Sequence, residues 1–268
     1  MVLPRLHLFE FNDAPWAPAA LREGIIESLS LTLERGRLLD GLVEPFTDFL
    51  HEAGAGRPLD ELVVLDLGSG AGGPAKVLLG ALAGRGRRPK LLLTDLHPRV
   101  EAWKEVEAAF PGQVSSVADP VDATAVPEAL GKGRPRVIIN VLHHFPPSVV
   151  ARVFEDAVRS GESIFIAEGF GRDPRGFAAF APAGIPTLLT SPLRGQRRLE
   201  KAFYFWATPL GFAASVWDGL VSTLRIHTEA DLRAMVAPLG DGYDWRFGWY
   251  PLGGWSRGYY WQGVPRRR

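Results

Sequence analysis

A chain of 268 residues that is 46% hydrophobic can bury one sizeable core, and its 30 basic residues balance its 30 acidic ones, so overall charge gives no case for nucleic acid or an anionic membrane as a partner. The absence of cysteine excludes disulfides, thiolate nucleophiles and Cys-ligated metal sites. The first residues, "MVLPRLHLFEFNDAPW", carry acids where a signal peptide needs an unbroken apolar stretch, and a cytoplasmic location is the expectation.

Residues 15–54 carry two or three helical patterns, and residues 1–58 read as an N-terminal helical segment. "LVVLDL" at 62–67 is a short apolar run that ends in a Gly cluster, and "AKVLLGALAG" follows with helical spacing, which predicts strand, tight loop and helix. The alternation continues with "KLLLTDL" at 90–96 as strand, "PRVEAWKEVEAAF" as helix, "QVSSVA" as a short strand and "PRVIINVL" at 135–142 as a buried strand. "SVVARVFEDAVRSG" predicts a helix with a Gly stop, and "ESIFIAEGF" a fifth strand. Continuous apolar strands separated by helices imply a parallel sheet covered on both faces.

After Phe170 the alternation stops for about fifty residues, and 171–222 reads as an insertion, helical in part. Within it "AFYFWATPLGFAASVW" at 202–217 is the most membrane-like stretch, but it is too short for a span and contains Pro209 and Gly211. A buried cap or core helix accounts for it equally well. Thr228 followed by Asp231 predicts a helix start and Gly240 a stop, and "YDWRFGWYP" with "RGYYWQGVP" predicts an antiparallel hairpin. No Pro/Gly/Ser-rich linker divides the chain, so one domain over 1–268 is expected.

The stretch "VLDLGSGAGGP" satisfies two loop patterns at once: GxGxxG through Gly68, Gly70 and Gly73, and DxGxGxG through Asp66, Gly68, Gly70 and Gly72. Glycines there let the backbone turn sharply and approach a ligand, and the helix N-terminus offers free N–H groups. Asp95 ends the second strand about twenty residues further on, where a carboxylate can accept the ribose hydroxyls of an adenosine cofactor. Asp66 discriminates between cofactors, because a carboxylate beside the loop repels a pyrophosphate and suits an ammonium or sulfonium.

With these residues in register, the chain resembles the class I S-adenosylmethionine-dependent methyltransferases. The resemblance rests on "VLDLGSGAGG", on Asp95 in "LLLTDLHP", on "PVDATAVP" and on "VIINVLHHFPP", and it spans about residues 60–170. It implies an α/β, Rossmann-like, seven-stranded, mostly parallel sheet with an antiparallel C-terminal hairpin, and S-adenosylmethionine as cofactor. It implies further that Asp66 and the backbone of Gly68, Ser69, Gly70 and Gly72 face the methionine part, and that Asp95 and Leu96 bind the ribose. Asp122 and Ala123 would read the adenine, with Asp119 competing for that role, and Asn140 and Val141 would line the path of the methionine amino group. "LHLFEFNDAPWAPAALREG" and "WDGLVSTLRIHTEADL" also resemble segments of uncharacterised bacterial methyltransferase-like proteins.

Methyl transfer needs a base only where the acceptor must lose a proton. His143 and His144 are the candidates, since imidazole titrates near neutral pH, and "LHH" is also a structural element at this place in the family. Glu168 ends the fifth strand, either as a catalytic group or as a hydrogen-bond acceptor, and His97 reads as a packing or capping residue near the ribose. No His or acid spacing fits a metal site, and none is expected. Trp206, Trp217, Trp249, Tyr250 and Trp255 are core residues or the lining of a pocket for an apolar or aromatic acceptor.

The functional expectation is methyl transfer to a small acceptor, with O-methylation favoured, and with neither nucleic acid nor membrane as partner. In this fold residues 171–222 would cap the acceptor site. Two alternatives stand beside it. One is an NAD(P)-dependent oxidoreductase, disfavoured by Asp66 and by the lack of a Tyr-x-x-x-Lys pair; the other is a non-catalytic protein that keeps the fold and binds the cofactor.

Overall fold

The computed structural model describes residues 3–253 and 256–266. In chain order the elements are α1 (Ala19–Arg35), α2 (Val43–Ala53), β1 (Val63–Leu67), α3 (Gly73–Ala83), β2 (Lys90–Thr94), α4 (Val100–Ala109), β3 (Val114–Ser116) and the single-turn α5 (Glu128–Gly131). Then follow β4 (Arg136–Ile139), α6 (Pro147–Ser160), β5 (Ile164–Glu168), α7 (Pro174–Thr190), α8 (Arg198–Ala202), α9 (Leu210–Arg225), α10 (Glu229–Val236), β6 (Tyr243–Gly253) and β7 (Ser256–Pro265). The chain forms two compact units, one of residues 39–169, 228–250 and 258–268, the other of residues 1–38, 170–227 and 251–257.

The first unit holds a seven-stranded sheet of order β3-β2-β1-β4-β5-β7-β6. β1 to β5 run parallel and β7 lies antiparallel to β5, with Ile166 opposite Trp261. Every residue of β4 and β5 is buried, as helix-covered parallel strands require. α6 buries Val150, Val153, Phe154 and Ala157, the i, i+3, i+4, i+7 stripe of an amphipathic helix, and ends on Gly161 at φ +72°. Beside it the Arg136 guanidinium lies 2.7 Å from Asp156 Oδ2, both groups buried, so the charge that β4 brings into the core is paired. α10 starts at the expected place: Thr228 Oγ1 accepts the Asp231 N–H while Asp231 accepts the Thr228 N–H, a complete capping box.

The second unit is helical. α1, α7 and α9 pack together around Leu21, Ile25, Leu188, Phe205 and Ala214. Residues 6–12 run along α9: the Leu6 N–H donates to Leu224 O, and Asp218 accepts the N–H groups of Phe11 and Asn12 at 2.6 and 3.0 Å. Burial holds the Asp218 carboxyl up at about 6, although those two N–H bonds pull it down. Lys201 is fully buried and lies 2.7 Å from Glu27.

Two expectations change here. The strand expected over 135–142 stops at Ile139, because Asn140 takes a left-handed φ of +56° and Leu142–His144 form a short helical turn. The stretch 202–217 is no buried core helix: Phe203, Trp206, Leu210 and Phe212 are each at least half exposed.

Candidate functional site

In the sheet-bearing unit, the order β3-β2-β1-β4 places a topological switch between β1 and β4, where crossovers leave β1 in opposite directions. Ligands of open α/β sheets bind outside the carboxyl ends of the strands at that point. The ends of β1, β2, β4 and β5 carry Asp66 to Gly72, Asp95, Asn140 to His144, and Glu168.

The loop after β1 needs its glycines. Gly68, Gly70 and Gly72 take φ of +75°, +55° and +80°, which L side chains rarely adopt. At Gly72 a Cβ would stand 2.8 Å from Val106 Cγ2, whereas at Gly70 it would meet open space. The turn is anchored to β2, since Thr94 O accepts the N–H groups of Gly68 and Ser69 at 3.0 and 2.9 Å. Ser69 Oγ donates to Asp66 O and accepts the Thr94 N–H. Trp103 of α4, which the sequence analysis did not single out, donates its indole N–H to Gly70 O at 2.8 Å. Nothing local in the sequence tells that role from ordinary burial.

Asp95 closes the loop from the other side. Its Oδ2 accepts the Gly70 N–H at 2.8 Å and its Oδ1 the His97 N–H at 2.8 Å. Each carboxylate oxygen keeps a second lone pair for a ligand hydroxyl. Leu96 and His97 are exposed beside it, and His97 contributes its backbone N–H. Asp66 is buried, and its carboxyl is pushed up to about 7, chiefly by burial, with a smaller upward push from Asp95.

The segment carrying Asp122 and Ala123 joins the same edge, because the Val121 N–H donates to Asp95 O at 2.9 Å. Asp122 folds over its own turn, accepting from Thr124 N–H and Thr124 Oγ1 at 2.8 Å each. Asp119 is exposed.

After β4, Asn140 bonds through its N–H to Ala167 O, while its buried Oδ1 has no hydrogen-bond partner among the described residues. A Cβ at Gly68 would lie 3.0 Å from Val141 Cγ1, so the loops after β1 and β4 are adjacent. His143 and Glu168 form a buried pair: Nδ1 lies 2.7 Å from Oε2, and the His143 N–H donates to Oε1 at 3.0 Å. The Tyr250 hydroxyl donates to Glu168 O at 3.3 Å, so Tyr250 is a core residue. The His144 ring lies 4.2 Å from that of His143, centroid to centroid. Trp206, Trp217 and Trp249 are exposed, and Trp255 lies outside the described residues.

No protein-family model matches the chain, and no curated protein matches it in sequence. Solved structures do. A candidate O-methyltransferase from Nostoc punctiforme is 13% identical with a TM-score of 0.51, over 97% of this chain and 64% of that one. Magnesium protoporphyrin IX methyltransferase from Synechocystis, solved with SAH bound, is 17% identical over 85% of this chain and 83% of that one, with a TM-score of 0.48. A methyltransferase from Aquifex aeolicus is 13% identical over 88% of this chain and 97% of that one, at 0.48. The likeness at these identities is one of fold, and the chain spans under two thirds of the Nostoc protein's length. With its strand order and reversed last strand, the chain has the fold of the class I S-adenosylmethionine-dependent methyltransferases.

Proposed function

We propose that the chain transfers a methyl group from S-adenosylmethionine to the oxygen of a small acceptor with an apolar or aromatic body. The observation that carries the reading is a buried His143–Glu168 pair on the same sheet edge as a glycine loop gripped by Asp95. The residues fit the cofactor: open space faces Gly70, and Asn140 Oδ1 is buried without a partner among the described residues, as a site for a ligand amino group needs. Asp95 and Leu96 would hold the ribose, Asp122 and Ala123 the adenine edge, and Asp66, Gly68, Ser69, Gly72, Asn140 and Val141 the methionine part. The sulfonium supplies a methyl carbon open to in-line displacement.

The chain's own work is then to align and to deprotonate. Backbone held at three left-handed glycines fixes the cofactor's position before binding, which reduces the entropy lost in reaching an attack geometry. Glu168 takes the Nδ1 proton of His143 as its hydrogen-bond partner, which makes Nε2 the basic nitrogen, able to receive the proton of an acceptor hydroxyl. His144 stands next in line for that role.

The test is calorimetric titration with S-adenosylhomocysteine, followed by transfer of labelled methyl from S-adenosylmethionine to a panel of simple phenols. Binding together with a transfer rate that His143→Gln lowers supports the reading. A folded sample that binds no S-adenosylhomocysteine overturns it.

A further inference from the structure

The overall neutrality of the chain hides a local imbalance in the helical unit. Residues 194–201 hold Arg194, Arg197, Arg198 and Lys201 against the one acid Glu200. Lys201 is buried against Glu27, and Arg197 faces Glu23 and Glu200, but Arg194 and Arg198 are exposed with no acidic partner among the described residues. The apolar residues that follow face outward. Leu199 is 88% exposed, Phe203 54%, Trp206 53%, Leu210 51% and Phe212 50%. Leu199, Phe203 and Trp206 stand four and three residues apart along 198–207, where the α-helical turn of α8 runs on into a π-helical turn at Phe203–Ala207.

This surface has turned its polar atoms inward. The Trp206 indole donates to Leu189 O and the Trp217 indole to Phe9 O, while Thr208 Oγ1 and Ser215 Oγ donate to the backbone of Tyr204 and Gly211. Next to it, Leu210, Trp217, Tyr204, Phe9 and Phe11 line an open apolar groove of about 420 Å³. A protein partner of ordinary kind would find few hydrogen bonds here, whereas protein interfaces carry about ten. Hydrocarbon asks for none. No helix among the described residues is long and apolar enough to cross a membrane.

We propose that residues 194–217 dock on an anionic lipid surface, with Leu199, Phe203 and Trp206 entering the acyl boundary and Arg194 and Arg198 pairing with headgroup phosphates. Interfacial helices combine these two features, an aromatic-rich apolar face and arginines beside it. The inference departs from the expectation of no membrane partner, which rested on overall charge and on span length; neither bears on a local surface contact. It stands independently of the methyl-transfer reading.

The test is co-sedimentation of the full chain with vesicles of phosphatidylcholine alone and of phosphatidylcholine mixed with phosphatidylglycerol. The chain sediments with the mixed vesicles, not with phosphatidylcholine alone, and salt releases it. The double variants Phe203→Ser with Trp206→Ser, and Arg194→Glu with Arg198→Glu, each lower the partition about tenfold or more, given about 1 kcal/mol per arginine near such a surface. The arginine variant alters only exposed groups and decides the matter if the apolar one does not fold. Failure to bind either vesicle overturns the proposal, and so does equal binding to both. It is also overturned if sedimentation velocity finds a dimer that the apolar variant dissociates while vesicles bind neither protein, since the surface then serves a second copy.

Discussion

If Asp66 faces the cofactor as proposed, binding is coupled to pH, and the size of the effect follows from the position of that carboxyl. Burial at the end of β1 holds its carboxyl at about 7 instead of the usual 3.8. If Asp66 must be ionised to face the ammonium of the methionine part, which S-adenosylhomocysteine keeps, only about a tenth of the ligand-free chain is competent at pH 6 and about nine tenths at pH 8. Affinity for S-adenosylhomocysteine should therefore rise about tenfold from pH 6 to pH 8, or roughly 1.4 kcal/mol, and level off above. Calorimetry in buffers of different ionisation enthalpy reads the linked proton directly: close to one released per ligand at pH 6, almost none at pH 8 or above. Asp66→Asn removes both the slope and much of the affinity. The same carboxyl works against the folded state. Its folded value is raised, so between about pH 4 and 7 the unfolded chain gives up a proton that the fold keeps, and stability falls as pH rises through that window. Above about 7 the full cost, on the order of 4 kcal/mol, is present. Ligand-free Asp66→Asn should thus melt higher than the parent at pH 8, with the gap closing near pH 4. An affinity flat from pH 6 to 8 with no proton exchange would refute the reasoning.

Four further outcomes are expected. Asp95→Ala weakens S-adenosylhomocysteine binding more than tenfold, and unchanged affinity removes Asp95 from the site. Gly70→Ala weakens binding and lowers the melting temperature through the strain of a left-handed backbone alone, about 1 kcal/mol, whereas Gly72→Ala lowers it further because its Cβ also meets Val106; thermal scans with and without ligand separate them. Glu168→Gln leaves cofactor affinity in place, lowers the transfer rate and shifts the pH–rate profile, since His143 loses its orienting carboxylate. Asp156→Ala strands the buried Arg136 and costs about 3–5 kcal/mol in denaturant unfolding.

The sheet and its ligand edge were largely legible in the sequence, because β1 to β5 are short apolar runs that end in turn residues and alternate with helical spacing. Asp66, Asp95 and the glycines stood out for the same reason: each stands where a strand ends. The His143–Glu168 pair was only half legible. Each was placed at the sheet edge, but their pairing depends on β4 and β5 lying side by side in register, which no local pattern encodes. Asn140 read as part of a strand because its left-handed conformation is a tertiary outcome. The helical unit was least legible. Asp218 holds Phe11 and Asn12 across more than two hundred residues, and neither segment announces the other. Hydrophobicity alone also misjudged 202–217, since it reports what a side chain would prefer, not which neighbours arrive to cover it.

Equilibrium dialysis of the full chain against labelled S-adenosylmethionine, with NADH as competitor, tests the central claim most directly. The account predicts one bound label per chain, displaced by S-adenosylhomocysteine, indifferent to NADH and lost in Asp95→Ala. A folded chain that binds no label, or one whose label NADH displaces, contradicts it.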